Sequence, residues 1–452
     1  MIVKTIHEIA NMMHASVHGD IDDTKKIHGV VIDSRQVTKD VLYVPIIGQR
    51  VDGHTFAKQT IEDGALISLW QKDHHPYPDF PVILVDDTLR AMQELAKAYL
   101  DELHPLVIGV TGSNGKTSCK DMLYSIFSQE KKTQKTLGNR NSEIGLPLTI
   151  FEFDEDIEVA ILEMGMENKG EITQLTSIAR SDISVITSIG SAHMENLGGR
   201  VQIAQAKCEI LEGLKDNGLF VYNYESKEMQ EVLPTLNTGN KKIVSFGHGG
   251  DVSITSSIEY GKDGIVFNCN ILDVPVHLHA FGDFQAMNAL PCIYIAKACH
   301  LKEESILNGL AHLEMTKMRT QLIPVQNAYI LDDTYKSNPE SAKAAIDTLM
   351  VLPARKHIAI LSDMLDLGSE EKQLHYDVGE YAKEKGVDAL YCTGPLSKET
   401  SDGFNGNWYE TKDEIYEAVK PLLEEDCVIL IKGSRAMKMD TLVDAFRGND
   451  NE

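Results

Sequence analysis

The segment VIGVTGSNGKTSCKDM, from Val107 to Met122, decides the fold of this chain because it joins an apolar strand to a helix through a glycine-rich turn. Its apolar start predicts a buried parallel strand, and the residues from Lys116 onward predict a helix with one apolar face. The turn therefore precedes a helix N-terminus, where backbone N–H groups and the helix dipole favour an anion. The segment predicts a phosphate-binding loop.

The residue types in this turn fit a nucleotide polyphosphate. Gly112 and Gly115 let the backbone approach the phosphates closely, and Lys116 and Thr117 would reach the outer phosphates and a bound Mg²⁺. A strict Walker A run needs glycine where this chain has Val110, so the match is to a TGxNGK[ST] variant, and a chance Gly-Lys-Thr loop is the alternative. The predicted nucleotide-binding residues of the loop are Thr111, Gly112, Ser113, Asn114, Gly115, Lys116 and Thr117.

Composition narrows the classes of partner. The formal net charge of −25 argues against a general nucleic-acid binder, because phosphate neutralisation needs a basic surface. The seven cysteines show neither zinc-site spacing nor a disulfide framework, which favours a reducing cytoplasm. The charged residues near the N-terminus exclude a signal peptide there, and no apolar run reaches the length of a membrane span. We expect a cytoplasmic protein without nucleic-acid partners.

The length of 452 residues suits about three domains. His104-Pro105 ends a helix before the phosphate-loop strand and predicts the first boundary. From about Lys317 the chain alternates strands and helices, as in a doubly wound parallel sheet. We therefore expect domains at 1–104, 105–316 and 317–452.

Two residues near the ends of predicted strands are candidates for chemistry on the phosphates. Glu163 follows a strand that would neighbour the phosphate-loop strand, and its carboxylate suits Mg²⁺. The alternative is a solvated glutamate at a strand end. His193 lies in the loop after the strand at 183–186, where an ordinary polar histidine is the alternative to a ligand.

Lys207 is a third candidate because it shares a helical stripe with Ile203, Ile210, Leu211 and Leu214. A buried ammonium is costly unless it is paired, modified or functional, and snorkelling to solvent is the alternative. A desolvated, partly neutral lysine can also react with carbon dioxide to form a carbamate, which is a carboxylate-like metal ligand.

Four motifs of the central part are TGSNGKT (111–117), LEMGM (162–166), IGSAHM (189–194) and AQAKCEI (204–210). They stand in the same order as in the Mur ligases, the ATP-dependent amide-forming enzymes of peptidoglycan precursor synthesis, so the chain resembles that family. The supporting segments are IDSR (32–35), VDGHTF (51–56), GNRNSEIGLPLTI (138–150), SDMLDLG (362–368) and KGSRAMKM (432–439). The resemblance covers essentially the whole chain.

The resemblance implies an α/β fold with a small N-terminal α/β domain that binds a UDP-sugar, a central P-loop-like ATPase domain with a parallel sheet, and a C-terminal Rossmann-like doubly wound domain that binds the incoming amine. Within the family, the likeness is greatest to the members that add D-alanyl-D-alanine to a UDP-N-acetylmuramoyl tripeptide. The implied reaction passes through an acyl phosphate and releases ADP and phosphate. A monomer is expected.

The resemblance also implies roles for single residues. Lys116 would contact the β- and γ-phosphates, Thr117 and Glu163 would hold one Mg²⁺, and His193 with a carbamylated Lys207 would hold a second. The implied residues on the rest of the nucleotide are Asn288, Arg319 and, on the ribose, Asp333. The implied substrate residues are Ser34, Arg35, Asp52, His54, Asn139, Asn141, Ser142, Tyr335, Asn338, Lys432, Ser434 and Arg435.

Several positions depart from the usual family pattern. Lys336 puts a cation where a neutral amide is expected, and the other departures are Arg140, Ser188, Phe284 and Gln285. Two interpretations stay open for Lys336 and Arg140. Their charges either change the contacts with a ligand or are solvated surface charges of no consequence. Two alternative functions also stay open, namely a paralogue that joins a different amine or carboxylate, and a nucleotide-binding regulatory subunit with little turnover.

Overall fold

The computed structural model describes residues 1–22, 24–192 and 194–448. His193 and the C-terminal residues 449–452 lie outside the described residues. The described chain is α/β, with three larger sheets arranged along the sequence and two small antiparallel sheets. No helix in the described ranges combines the length and the apolarity needed to cross a membrane.

The N-terminal part contains a five-stranded sheet and a two-stranded sheet. The larger sheet has the order β2-β7-β6-β5-β4 and is parallel except for the β2–β7 pair, and β1 pairs with β3. The strands are β1 (Val3–Thr5), β2 (Ser16–His18), β3 (Lys26–His28), β4 (Val30–Val31), β5 (Leu42–Tyr43), β6 (Ile67–Gln71) and β7 (Val82–Val85). The helices are α1 (Ile6–Met12), α2 (Ala57–Glu62) and α3 (Thr88–Leu103).

The central part is built on a six-stranded parallel sheet of order β13-β12-β11-β8-β10-β9. Its strands are β8 (Leu106–Thr111), β9 (Thr133–Lys135), β10 (Val159–Glu163), β11 (Ile183–Ile186), β12 (Leu219–Asn223) and β13 (Lys242–Phe246). A small antiparallel sheet follows, with β14 (Glu259–Gly261), β15 (Gly264–Phe267) and β16 (Val276–Leu278). The helices are α4 (Lys116–Phe127), α5 (Gly145–Phe151), α6 (Glu171–Ala179), α7 (Met194–Leu197), α8 (Arg200–Cys208), α9 (Ile210–Gly213), α10 (Lys227–Val232), α11 (Asp283–Ala298) and α12 (Glu303–Ala311).

The order of the central sheet explains where a ligand binds. Strands β9 and β10 lie on one side of β8, and β11 to β13 lie on the other, so the winding of the sheet reverses at β8. Ligands of open parallel sheets bind beyond the carboxyl ends of the strands at such a reversal. All five residues of β10 are buried, as expected for a strand that is covered on both faces.

The C-terminal part has a six-stranded sheet of order β17-β18-β22-β19-β20-β21, in which only β17 runs antiparallel to its neighbour. The strands are β17 (Gln321–Val325), β18 (Ala328–Asp333), β19 (Lys356–Ser362), β20 (Ala389–Thr393), β21 (Asn407–Tyr409) and β22 (Cys427–Lys432). The helices are α13 (Pro339–Val351), α14 (Glu371–Lys385), α15 (Ser397–Phe404), α16 (Lys412–Val419) and α17 (Asp440–Phe446). Separate apolar cores on the two faces receive successive residues of one strand, such as Ile429 and Leu430 of β22.

One local expectation differs from the structure. The helical stripe from Ile203 to Leu214 predicts one continuous helix, but α8 ends at Cys208, and α9 ends at Gly213. A Cβ atom at Gly213 would lie 2.2 Å from the carbonyl oxygen of Thr176, so α9 packs there directly against the backbone of α6. The apolar stripe is nevertheless buried, as the sequence predicts.

Candidate active site

The phosphate loop connects β8 to α4 with two glycines in conformations that other residues rarely adopt. Gly112 has φ +150° and Gly115 has φ +83°. A Cβ at Gly112 would lie 2.0 Å from Thr187 Oγ1, and one at Gly115 would lie 2.4 Å from Asn288 Oδ1. Both glycines are therefore required by backbone conformation and by close neighbours. The second contact also places Asn288, a predicted nucleotide residue, against the loop.

Glu163 lies beside this loop because its strand pairs with the loop's own strand, Glu163 being opposite Val110. Thr117 Oγ1 donates to Glu163 Oε2 at 3.1 Å, and Asn141 Nδ2 donates to Oε1 at 2.9 Å. Lys120 Nζ lies 3.7 Å from Oε2. The predicted neighbourhood of Thr117 and Glu163 is thus present, and Glu163 is a buried, fully partnered carboxylate rather than a solvated one.

Lys116 folds back onto its own loop. Its Nζ donates to the carbonyl of Gly112 at 2.7 Å and to that of Ser113 at 3.4 Å. Burial lowers the pKa of Lys116 to about 7, and the positive charges of Lys336 and Arg319 act in the same direction. A bound polyphosphate would offer this ammonium stronger acceptors than the two carbonyls.

Lys207 is buried at the end of α8, with 2% of its surface exposed. Burial lowers its pKa well below the usual range, and the charges of Lys116 and Lys336 add to that effect. Within the described residues, Lys207 has no hydrogen bond or ion pair. The prediction of a buried lysine is therefore confirmed, whereas the predicted neighbour His193 lies outside the described residues.

Arg319 connects the loop to the C-terminal domain. Its Nη2 donates to Thr117 Oγ1 at 3.2 Å, and its guanidinium lies 4.1 Å from the centre of the Tyr335 ring. Its Nε is buried and has no hydrogen-bond partner among the described residues. An unpartnered guanidinium N–H next to a phosphate loop is suited to an anionic ligand.

Asp333 and Lys432 form a buried pair at the ends of β18 and β22. Lys432 Nζ donates to Asp333 Oδ2 at 2.6 Å and to the backbone oxygen of Lys336 at 2.7 Å. The other oxygen of Asp333 accepts from the backbone N–H of Thr320 at 3.2 Å. Burial lowers the pKa of Lys432, and the carboxylate opposes that shift. Both residues were predicted to contact ligands, and both line the cavity described next.

Two cavities open around these residues. The first, here called the nucleotide cavity, has a volume of about 280 Å³ and contains the phosphate loop. Its lining includes the predicted residues Ser113, Asn114, Gly115, Lys116, Thr117, Asn288, Arg319, Asp333 and Lys432, together with Ser188, Phe284, Gln285 and Lys336.

The second, here called the acceptor cavity, has a volume of about 640 Å³ and lies on the other side of Lys116. Its lining includes the predicted residues Lys116, Asn139, Asn141, Ser142, Glu163, Lys207, Arg319, Tyr335, Ser434 and Arg435, together with Lys336. Three residues line both cavities, and all three are cationic: Lys116, Arg319 and Lys336.

Other predicted residues lie away from these cavities. Ser34 and Arg35 form a short turn of 3₁₀ helix, and the guanidinium of Arg35 binds Asp33. His54 is buried, and its ring nitrogens contact Asp52 Oδ1 at 2.7 Å and the backbone N–H of Gln71 at 3.3 Å. Arg140 is ion-paired with Glu152 and also lies outside both cavities. The roles of these residues stay predictions.

The structure adds contacts between the central and C-terminal domains that the sequence analysis missed. Asn338 Nδ2 donates to Asn114 Oδ1 at 2.9 Å, and the reverse bond is 3.3 Å long. Glu340 Oε1 accepts from Ser191 Oγ at 2.7 Å and lies 3.4 Å from Arg200 Nη1. The sequence analysis predicts Asn338 as a substrate-binding residue, but its hydrogen bond with Asn114 of the phosphate loop could not be predicted from the sequence.

A phosphate loop with a buried carboxylate beside it, contacted by Arg319 and Asn338 from the C-terminal part, is typical of ATP-dependent ligases. This class of enzyme activates one substrate with ATP before joining it to another. The chain belongs to the Mur ligase family. Models described as Mur ligase family, catalytic domain, as Mur ligase middle domain and as Mur ligase, glutamate ligase domain match residues 26–100, 110–296 and 318–435. The chain therefore forms C–N bonds at the expense of ATP.

Curated relatives that match almost the whole chain carry the name of one enzyme. The UDP-N-acetylmuramoyl-tripeptide–D-alanyl-D-alanine ligase of Bacillus subtilis is 36% identical over 98% of both chains, and that of Escherichia coli is 31% identical over 99% of both. A crystal structure of MurF from Acinetobacter baumannii has a TM-score of 0.92 at 26% identity over 99% of both chains. MurF from Thermotoga maritima in complex with ADP has a TM-score of 0.84 at 26% identity, covering 93% of this chain and 97% of that one. The predicted family and three-domain fold are confirmed.

Proposed function

We propose that this enzyme joins D-alanyl-D-alanine to UDP-N-acetylmuramoyl-tripeptide, with cleavage of ATP to ADP and phosphate, in peptidoglycan precursor synthesis. The names of relatives that match almost the whole chain support this substrate pair. The observation that carries the mechanism is the meeting of the nucleotide cavity and the acceptor cavity at Lys116, Arg319 and Lys336. A phosphoryl group can pass from one cavity to the other there.

In the first step, a carboxylate oxygen of the tripeptide attacks the γ-phosphorus of ATP. The bond from that phosphorus to the bridging oxygen breaks, which gives an acyl phosphate and ADP. Lys116 and Arg319 reduce the repulsion between the two anions and hold them in line, and such positioning is the main catalytic contribution in phosphoryl transfer. In the second step, the neutral amine of D-alanyl-D-alanine attacks the acyl carbon and displaces phosphate.

The acyl phosphate must be protected from water between the two steps. The Asn338–Asn114 and Glu340–Ser191 contacts hold the C-terminal domain against the phosphate loop and its neighbouring segment. Lys336 of the C-terminal domain lines both cavities, and water exclusion where they meet would favour the amine over hydrolysis.

Mg²⁺ fits the residues at the loop. Thr117 and Glu163 bring a hydroxyl and a carboxylate oxygen to 3.1 Å from each other, and hard oxygen ligands are what Mg²⁺ prefers. When bound, the ion would neutralise the charge that develops on the phosphates. We propose these two residues as ligands of one ion. His193 and a carbamylated Lys207 stay the predicted ligands of a second, and the burial of Lys207 without a partner among the described residues supports its modification.

The first test is the mass of the product formed from ATP, UDP-N-acetylmuramoyl-tripeptide and D-alanyl-D-alanine. ADP release should require both acceptor and dipeptide, and a panel of other amines should give little product. ATP turnover that ignores both substrates would contradict the proposal. If another amine gave as much product as the dipeptide, the enzyme would be an ATP-dependent ligase with a different amine substrate.

Lys207→Ala tests the carbamate. Amide formation should be lost in this variant, and removal of bicarbonate should lower the activity of the unmodified enzyme. The matched control is Lys215→Ala, because Lys215 is 42% exposed and pairs with Asp182 on the surface. Activity of Lys207→Ala equal to that of the control would contradict a role for Lys207.

Three further statements stay proposals. We propose that the monomer is the active unit, and size-exclusion chromatography of the active enzyme tests it. The domain limits at 1–104, 105–316 and 317–452 are testable by expressing each part and measuring its folding. The cytoplasmic location stays a prediction from sequence.

A further inference from the structure

Lys336 stands out because it lines both cavities, a property that it shares only with Lys116 and Arg319 among the described residues. Lys116 belongs to the phosphate loop, and Arg319 contacts Thr117 of that loop. Lys336 enters from the C-terminal domain, after the end of β18. The three cations therefore surround one place from two domains.

The backbone around Lys336 is held firmly. Its carbonyl oxygen accepts a hydrogen bond from the buried ammonium of Lys432 at 2.7 Å. On one side Tyr335 packs under the Arg319 guanidinium, and on the other Asn338 pairs with Asn114 of the phosphate loop. These contacts fix the origin of the Lys336 side chain relative to the loop.

The charges around Lys336 favour an anion at the meeting point of the cavities. The positive charge of Lys336 acts on both Lys116 and Lys207, lowering the pKa of each after the larger effect of burial. Burial lowers the pKa of Lys336 itself, and the negative charges of Asp366, Glu167 and Glu163 oppose that shift. Several cations gathered in a poorly solvated space repel one another, and an anion placed among them would relieve that repulsion.

We propose that Lys336 is a catalytic residue that contacts the γ-phosphate of ATP and follows it to the acceptor carboxylate. It is a cation supplied by the closing domain, at a position where the family pattern has a neutral amide. No bond to Lys336 forms or breaks, because it acts through charge while the phosphorus changes oxygen partners. The identity of the acceptor rests on the proposed function, whereas the contact between Lys336 and the γ-phosphate is independent of it.

The binding test needs no acceptor. Lys336→Met removes the charge, Lys336→Asn introduces the amide of the family pattern, and Lys336→Arg keeps a cation. Affinity for ADP should change less than threefold in all three variants. Affinity for the ATP analogue AMP-PNP should fall at least tenfold in the Met and Asn variants and be largely retained in the Arg variant. Equal losses for the two nucleotides would overturn the γ-phosphate contact.

The rate test follows acyl-phosphate formation in a single turnover without dipeptide, with the product trapped by hydroxylamine as a hydroxamate. Because Lys336 would contact the transferred phosphoryl group, the rate of acyl-phosphate formation should fall at least 100-fold in Lys336→Met and Lys336→Asn. The KM for the dipeptide, measured in the full reaction, should change less than twofold. A normal trapping rate, or a change in the dipeptide KM alone, would overturn the role.

Lys343→Met is the matched control, because Lys343 lies on α13 over the Tyr381 ring and outside both cavities. It should behave as the unmodified enzyme in both tests. If the unmodified enzyme formed no hydroxamate with UDP-N-acetylmuramoyl-tripeptide, the proposed function would fail. The comparison of ADP with AMP-PNP would still decide the assignment of Lys336.

Discussion

Replacing Lys432 with methionine tests how the C-terminal half of the site is held together. The ammonium of Lys432 is 2% exposed and binds both Asp333 and the carbonyl of Lys336. Methionine keeps most of the volume but leaves a carboxylate in a largely buried position without its cation. Loss of one partner from a buried ion pair costs about 3–5 kcal/mol, so we expect the free energy of unfolding of this domain to fall by about that amount.

The assay uses the small number of tryptophans. The chain has two, and in a Trp70→Phe background only Trp408 of β21 reports, so its fluorescence during urea unfolding follows the C-terminal domain. The control Lys356→Met removes a surface pair with Glu425 whose side chains are 47% and 43% exposed, and it should cost less than about 1 kcal/mol.

The double variant Lys432→Met/Asp333→Asn checks the electrostatic reasoning. Because asparagine removes the orphaned charge, the double variant should be more stable than Lys432→Met alone by about 1–3 kcal/mol. A cost for Lys432→Met no larger than that of Lys356→Met would refute the reasoning. A double variant less stable than the single one would refute it as well.

Three further predictions concern the loop, the carboxylate and pH. Gly115→Ala should abolish measurable nucleotide binding in calorimetry, since its Cβ would lie 2.4 Å from Asn288 Oδ1; near-normal affinity would contradict the loop geometry. Glu163→Gln should lower amide formation at least 100-fold and raise the Mg²⁺ concentration for half-maximal rate. Burial lowers the pKa of His375, whose Nε2 accepts from the backbone N–H of Met364 at 2.9 Å. The C-terminal domain should therefore lose stability as pH falls below about 6.5, the ordinary histidine pKa, and Trp408 unfolding curves should show that His375→Gln removes this loss.

Local patterns predicted the parts of the site that depend on neighbouring strands. The apolar run before the loop and the one before Glu163 are both buried strands, and they pair directly, so the carboxylate lies beside Thr117. The burial of Lys207 followed from helical spacing alone. These features depend on short-range periodicity, which is visible in the sequence.

Contacts that depend on how the domains approach one another could not be predicted. The Asn338–Asn114 pair joins residues 224 positions apart, and Glu340 reaches Ser191 across 149 positions. The break between α8 and α9 also depends on tertiary packing, since α9 packs against the backbone of α6 at Gly213. Lys336 was recognised as unusual from sequence, but its place between the cavities required the fold.

The meeting of the two cavities has a consequence for inhibitors. A molecule with one anionic centre at Lys116, Arg319 and Lys336 could extend an arm into each cavity, of about 280 and 640 Å³. The second arm would then bind at the high effective concentration that linkage to the first provides. Resistance by a change in either cavity alone would leave the other arm and the shared anchor in place.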